Sequence, residues 1–288
     1  MRPRLVAWLD AAIGPGWGEL LAPDYVVMLS LAMLAAIALC AALMRTRGFD
    51  QTRGYSALAW GWLGAILGAR TLTMFANIPD AIVEGNASLV WRGGLTAYGG
   101  FLGGTLAAWL ALGRRDLLSL GDLMAPSLGL GTCITRVGCF LAGCDFGRVT
   151  TSRWGVRFPP ASPAYEAHAK RGWLGAYSSE SLPVHATELY ESALGLVVFG
   201  AAIAVLFARR KKPLDGTTLF VAVLVYAVGR FAIEALRGDS DRGVFGGVAA
   251  LSTSQIVSTA LIVLVVTIVV RRATKAHSLA RLRGEAGR

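Results

Sequence analysis

The stretch Tyr25 to Met44, YVVMLSLAMLAAIALCAALM, runs for 20 residues without a charge, between Asp24 on one side and Arg45 and Arg47 on the other. As an α-helix at about 1.5 Å per residue it matches the roughly 30 Å hydrocarbon layer of a bilayer. Similar apolar runs follow at about Tyr55 to Ile78, Leu95 to Leu112, Leu123 to Phe140, Leu189 to Ala208, Thr217 to Leu236 and Leu251 to Val270. The expected fold is an all-α integral membrane protein of about seven transmembrane helices, because backbone polar groups in lipid must be satisfied within each span. The third and fourth runs carry the most glycine and polar residues and give the weakest hydropathy signal.

Composition agrees with that reading. Of 288 residues, 55% are hydrophobic and 16% charged, where an ordinary soluble chain carries roughly 25% charged residues. Mean hydropathy is +0.55. Too few ionisable groups remain to cover a globule in water, which excludes a disordered tail, a disulfide-rich secreted scaffold and a typical cytosolic enzyme. The net charge of +10 therefore reads as a topology signal, and no nucleic-acid partner is expected.

The positions of the cations bear this out. Arg45, Arg47 and Arg53 follow the first span, Arg114 and Arg115 the third, Arg209 to Lys212 the fifth, and Arg271, Arg272 and Lys275 the last. With seven spans all four groups lie on one side. The positive-inside bias makes that side cytoplasmic, with the amino end outside and the carboxyl end inside. Residues 1–272 are expected to form one polytopic membrane domain, and residues 273–288 a polar, frayed cytoplasmic tail. The first 24 residues are broken by Asp10, Gly14, Pro15, Gly16, Gly18 and Pro23, so no removable signal peptide is expected. The segment from about 142 to 186 then lies on the outer face. Its Trp154, Phe158, Tyr165, Trp173 and Tyr177 point to a small folded arm or cap at the membrane surface.

Ionisable residues at membrane depth are costly and need a partner, a wet cavity or a function. Here they are Arg70, Arg136, Glu188, Glu191, Arg230, Glu234 and Arg237. The last three, spaced i, i+4 and i+7, share one face of a helix. Given the alternating directions of the spans, every one of these charges falls in the outer half. Four arginines with fewer carboxylates at one depth suggest a wet, net-positive cavity suited to a phospholipid phosphate. The competing reading is a set of interhelical ion pairs, with Glu234 tying Arg230 to Arg237.

Glycine is abundant, at 35 residues. Gly64 and Gly68 have the spacing of close helix packing. For Gly99 and Gly100, beside Tyr98, close backbone approach to a ligand competes with that reading. The four cysteines form no paired CxxC knuckles and only three histidines could join them, so neither a metal site nor a cofactor is expected. Cys40 and Cys133 sit in apolar runs and read as core.

The segment Thr135 to Arg148, TRVGCFLAGCDFGR, resembles the signature of the bacterial prolipoprotein diacylglyceryl transferases. That signature runs Arg, an apolar residue, Gly, Asn, Phe, any residue, Asn, Gly, Glu, two further residues, Gly, Arg. Arg136, Gly138, Phe140, Gly143, Gly147 and Arg148 match it. Gly68, Ala69 and Arg70, the Gly99–Gly100 pair, Trp154 and Gly155, and His185 with Leu189, Tyr190 and Glu191 follow in the family's order. Arg230, Phe231, Glu234, Arg237, Asp239 and Gln255 complete it.

The resemblance implies a multi-pass protein of the bacterial inner membrane. It implies transfer of a diacylglyceryl group from phosphatidylglycerol to the lipobox cysteine of an exported lipoprotein precursor, with release of glycerol phosphate. Arg136 and Arg230 would hold the phosphate, and Glu234 and Arg237 would complete the site. Arg70, Gly99, Gly100, Gly138, Gly143 and Glu188 join them as candidate substrate-binding residues. The sequence also departs from the pattern. Tyr98 stands at the family's histidine, Cys139 and Ala142 at its two asparagines, Cys144 at its glutamate, and Glu188 at a glutamine. A phenol takes a thiol proton less readily than an imidazole and needs cations close by to do so. The anion-binding half of the site is kept while the half facing the acceptor is rewritten. Cys139 and Cys144 are open to three readings: a disulfide, inert buried thiols, or a thiol that takes part in chemistry. A non-catalytic phospholipid-binding relative and an anion transporter are the competing classes. Little charge lies in the inner halves of the spans, which weighs against transport.

Overall fold

The computed structural model describes residues 1–94, 96–175, 177–238 and 251–285. Asp239, one of the family matches, lies outside them. Among the described residues the regular structure is helical: α1 (Arg2–Ile13), α2 (Trp17–Leu21), α3 (Tyr25–Thr46), α4 (Gln51–Val83), α5 (Ala97–Ala142), α6 (Pro163–Lys170), α7 (Thr187–Ala208), α8 (Thr217–Glu234) and α9 (Thr253–Glu285). Strand-like pairing is confined to isolated antiparallel bridges, Gly147–Arg237, Val149–Val184 and Val156–Val184.

By length and composition, five described helical segments qualify as membrane spans: Trp17–Thr46, Ala97–Ala142, Thr187–Ala208, Thr217–Glu234 and Thr253–Lys275. The chain is thus a multi-pass, all-helical membrane protein. The second expected span lies within α4, 33 residues long. The third and fourth meet in α5, whose 46 residues would extend roughly 69 Å if straight, over twice the hydrocarbon thickness. Gly113, at φ 74° and ψ 171°, breaks it with a conformation that glycine adopts freely.

Two expectations fail here for the same reason. Arg114 and Arg115 are expected in a loop between the third and fourth spans, and the tail past Ala273 is expected to fray. Both are helical, since Arg, Leu, Ala and Lys are strong helix formers and charge alone does not end a helix.

The chain divides into two compact units. One comprises Met1–Leu39, Ala125–Arg209 and Thr218–Arg288, the other Cys40–Met124 and Arg210–Thr217. The second is built on a core of Cys40, Met44, Ala57, Leu112, Leu120 and Leu123, which places Cys40 where its apolar run predicted. Buried Asp122 accepts hydrogen bonds from the backbone N–H groups of Asp215 and Gly216, at 3.0 and 2.8 Å, so an acid at the end of the 114–122 helical stretch is consumed by a turn. In the same unit a Cβ on Gly64, Gly68, Gly99 or Gly103 would collide with the backbone of the facing helix. Close α4–α5 packing therefore accounts for Gly99 as well as for Gly64 and Gly68.

In the first unit, α5 and α7 cross backbone to backbone. A Cβ on Gly129 would lie 2.6 Å from the Phe199 nitrogen, and one on Gly195 2.7 Å from the Cys133 nitrogen. The Ser192 hydroxyl donates to the Cys133 carbonyl at 2.9 Å. Ala125, Val198, Ala202 and Ala222 fill the layer between α5, α7 and α8. Residues 143–186 fold on a core of their own, made by Phe146, Phe158, Ala164 and Val184. Phe140 meets Phe158 edge-on with ring centroids 5.9 Å apart. Buried His168 uses Nδ1 to accept from the Leu182 N–H at 3.2 Å, a structural role that the sequence did not reveal.

Candidate functional site

The α5–α7 crossing sets the site. Cys133 and Ser192 touch, so Arg136, three residues on along α5, comes up beside Glu191, one residue back on α7. Arg136 Nε lies 2.6 Å from Glu191 Oε2. From α8, Arg230 Nη1 sits 3.3 Å from Glu191 Oε1 and 2.6 Å from Glu234 Oε2, one turn along its own helix. Several of these contacts are close but poorly aligned for hydrogen bonding, so Coulomb attraction in a low-dielectric interior is their main term.

Arg237 reaches the same point by a route that helical spacing did not foresee. The α8 helix ends at Glu234, and Arg237 lies in the turn beyond it, bridged to Gly147. The Arg148 N–H donates to the Leu236 carbonyl at 2.7 Å, and the Gly238 N–H to the Phe146 carbonyl at 3.1 Å. This pairing brings Arg237 over the loop that follows α5. There its Nη2 meets Asp145 Oδ1 at 2.6 Å, and Arg136 Nη1 meets Asp145 Oδ2, also at 2.6 Å. Arg237 Nη1 is 3.7 Å from Glu191 Oε1.

A net-positive cavity was expected. In the described residues of this unit, Arg136, Arg230 and Arg237 instead face Asp145, Glu191 and Glu234, three guanidiniums against three carboxylates. The balance changes because Asp145, a loop residue outside every expected span, folds back into the cluster. Glu234 pairs with Arg230 as expected. Arg237 donates to Asp145 and also lies beside Glu191. Asp145 and the bridging role of Glu191 are what sequence reasoning missed. The one available signal was an acid lying inside the quoted motif at a position the motif leaves open.

Glu188, on the first turn of α7, is fully buried. Neither of its carboxylate oxygens finds a hydrogen-bond partner in another described residue, although Asp145, Cys139 and Glu191 are close. A buried carboxyl without partners is destabilising. Glu188→Gln, nearly isosteric and uncharged, is expected to raise the melting temperature of the detergent-solubilised protein by roughly 3 °C or more. A lowered melting temperature would mean that the carboxylate has a partner the amide cannot satisfy.

Cys139 and Cys144 are both thiols in the structure. Their sulfurs and the Asp145 carboxylate lie within 4.8 Å of one another, and the Arg136 Nη1 group is 3.8 Å from the Cys139 sulfur. Two guanidiniums already neutralise Asp145, and their charge opposes a dication at this point. Gly143, at φ 79°, turns the chain out of α5, and a Cβ there would crowd the Phe158 ring at 2.9 Å. At Gly138 a Cβ would meet the Met28 Cβ at 2.8 Å. Both glycines thus serve a turn or a close packing contact. The His185 ring lies 3.4 Å from the Tyr190 hydroxyl, within hydrogen-bonding reach.

Tyr98, Gly99, Gly100 and Arg70 belong to the other unit. Tyr98 occupies the first turn of α5 and is half-buried. Arg70 donates to the carbonyls of Gly93 and Trp91, at 3.1 and 2.5 Å, and so holds the short 3₁₀ turn Ala87–Trp91 and the residues after it.

Residues 18–271 match the family model described as prolipoprotein diacylglyceryl transferase. The chain belongs to that family. It is 30% identical over 242 residues to a protein of Clostridium tetani named phosphatidylglycerol--prolipoprotein diacylglyceryl transferase, covering 83% of this chain and 89% of that one. A Clostridium perfringens protein of the same name, numbered 2, is 28% identical over 245 residues, covering 83% and 87% of the two chains. A Neisseria gonorrhoeae relative, also so named, is 35% identical over 196 residues, or 64% and 68%. As a prolipoprotein diacylglyceryl transferase family member, the chain keeps within the matched region every arginine of the cluster.

Proposed function

We propose that this protein transfers the diacylglyceryl group of phosphatidylglycerol to the thiol of a lipobox cysteine in an exported lipoprotein precursor, the reaction named in its relatives. The observation that carries the reading is the convergence of Arg136, Arg230 and Arg237 from α5, α8 and the turn after α8, in a chain of membrane helices. In the reaction the acceptor sulfur bonds to the glyceryl carbon that carries the phosphate. The carbon–oxygen bond breaks, and glycerol phosphate leaves with the electron pair. The thiol proton passes to a base. Charge grows on the departing phosphate, where guanidinium donors stabilise it. Arg136 and Arg230 hold that phosphate, while Glu234 and Arg237 keep the donors in register. Tyr98, reacting as the phenolate, accepts the thiol proton and becomes the phenol, and Arg70, Gly99 and Gly100 shape the approach from its side. No cofactor enters this scheme.

Incubating the purified protein with phosphatidylglycerol and a lipobox peptide tests the reading by mass spectrometry. The expected result is a peptide heavier by one diacylglyceryl group in thioether linkage, with equimolar glycerol phosphate. An unmodified peptide with intact lipid, from folded protein, would exclude the activity.

The same reading sets topology. Seven spans are made by α3, α4, the two parts of α5, α7, α8 and α9, with residues 143–186 on the outer face where precursors arrive. Reporter fusions after Lys212 and after Ala273 are expected to read cytoplasmic, and a fusion near Tyr177 external. An external reading after Lys212 would overturn the count and the outward-facing site together.

A further inference from the structure

Asp145 is set apart from the other acids of the cluster in three ways. Its side chain is 34% exposed, whereas those of Glu191 and Glu234 are 1% exposed. Its two carboxylate oxygens are divided between two guanidiniums, Oδ2 on Arg136 and Oδ1 on Arg237, each at 2.6 Å. Its backbone sits at φ 60° in the loop after α5, in the left-handed region that Asp and Asn enter more readily than most residues with a Cβ. A half-exposed loop carboxylate can turn out to water, whereas an acid buried on a helix face cannot. Glu191 and Glu234 have no comparable freedom.

The bridging geometry has a chemical meaning. A carboxylate that spans two guanidiniums presents two anionic oxygens, as does a phosphodiester with its two non-bridging oxygens. Both carry a single negative charge, so exchanging one for the other leaves the net charge of a poorly solvated site unchanged. Burial opposes ionisation of Asp145, and the Arg237 and Arg136 guanidiniums override it, holding the carboxyl below the usual carboxylate range. It therefore competes for the arginines as a full anion.

We propose that Asp145 is the resident counter-ion of the phosphate seat: its carboxylate occupies Arg136, steadied by Arg237, and it swings out when the donor lipid binds, freeing Arg136 to hold the phosphodiester together with Arg230 while Arg237 keeps the two in register. This rests on the lipid-donor reading above and adds to it a residue that sets how tightly the donor is held. The Thr187 hydroxyl, donating to the Asp145 carbonyl at 2.8 Å, keeps the backbone fixed while the side chain moves.

The position offers two variants that should fold. Gly and Asn both tolerate φ near 60°, so Asp145→Gly and Asp145→Asn remove the anion without adding strain. Affinity is measured with the full chain in nanodiscs for phosphatidylglycerol, and separately for soluble glycerol phosphate. Melting curves establish that each variant is folded. Both variants are expected to bind phosphatidylglycerol about tenfold more tightly than wild type, with Asp145→Glu close to wild type. Adding Arg136→Gln should erase the gain. Equal or weaker lipid binding by folded Gly and Asn variants would overturn the proposal. A gain confined to soluble glycerol phosphate would overturn it too, by giving the seat to a free anion. Wild-type turnover in the transfer assay reports separately on the function, so an inactive wild type and an unchanged variant are distinguishable failures.

Discussion

Arg136→Gln and Arg230→Gln are each expected to lower the affinity for phosphatidylglycerol by about one to two decades, the worth of a lost charge-assisted hydrogen bond. Turnover should fall further, by roughly 10²- to 10³-fold, because a donor aimed at a leaving phosphate contributes most where charge develops. Both arginines also neutralise Glu191, which is 1% exposed. Removing one partner of a buried pair costs about 3–5 kcal/mol, so the folded fraction has to be measured beside the lipid, by monodispersity and melting. Arg→Lys at either position keeps the charge and loses the planar fork, and should fall between wild type and the Gln variant. Undiminished lipid in both folded Gln variants would reduce the cluster to a set of interhelical ion pairs.

The second large effect concerns the proton. Tyr98→Phe removes one hydroxyl at the start of α5 and is expected to lower turnover about 10²- to 10⁴-fold, the range for losing a positioned base, while leaving lipid binding intact. Cys139→Ser and Cys144→Ser provide the contrasting arm. If a cysteine carries the proton or the nucleophile, one of these loses turnover and Tyr98→Phe does not. The two thiols are unbonded, and labelling of the wild type unfolded without reductant, which opens buried Cys139 to the reagent, should accordingly find both. A labelling experiment that misses both residues would restore the disulfide reading. Should all three variants turn over like wild type, the base lies elsewhere, and the buried carboxyl of Glu188 is the first alternative.

The sequence by itself determined the membrane class, since an uncharged run such as Tyr25 to Met44 matches the thickness of a bilayer and a helix satisfies its backbone hydrogen bonds within the span, as lipid requires. It also determined the family, through Arg136, Gly138, Phe140, Gly143 and Gly147 in fixed spacing, and it singled out Arg136, Arg230, Glu234 and Arg237 because charge at membrane depth is expensive. Breaks within helical sequence were harder to place. Gly113 ends a helix that its charged neighbours continue, because backbone freedom and charge are independent properties.

Only the tertiary structure decided which charges meet. Arg237 left the helical face assigned to it when α8 ended at Glu234, and the pairing of residues 146–148 with 236–238 carried it to Asp145. Asp145 entered the cluster through a left-handed loop conformation, for which local sequence offers no periodic signal. Glu191 became the common partner of three arginines because Gly129 and Gly195 let two helix backbones approach closely. Membrane cost identifies each ionisable residue one at a time. Whether the cluster is net positive or balanced depends on contacts between segments far apart in the chain, and those are fixed only when the helices pack.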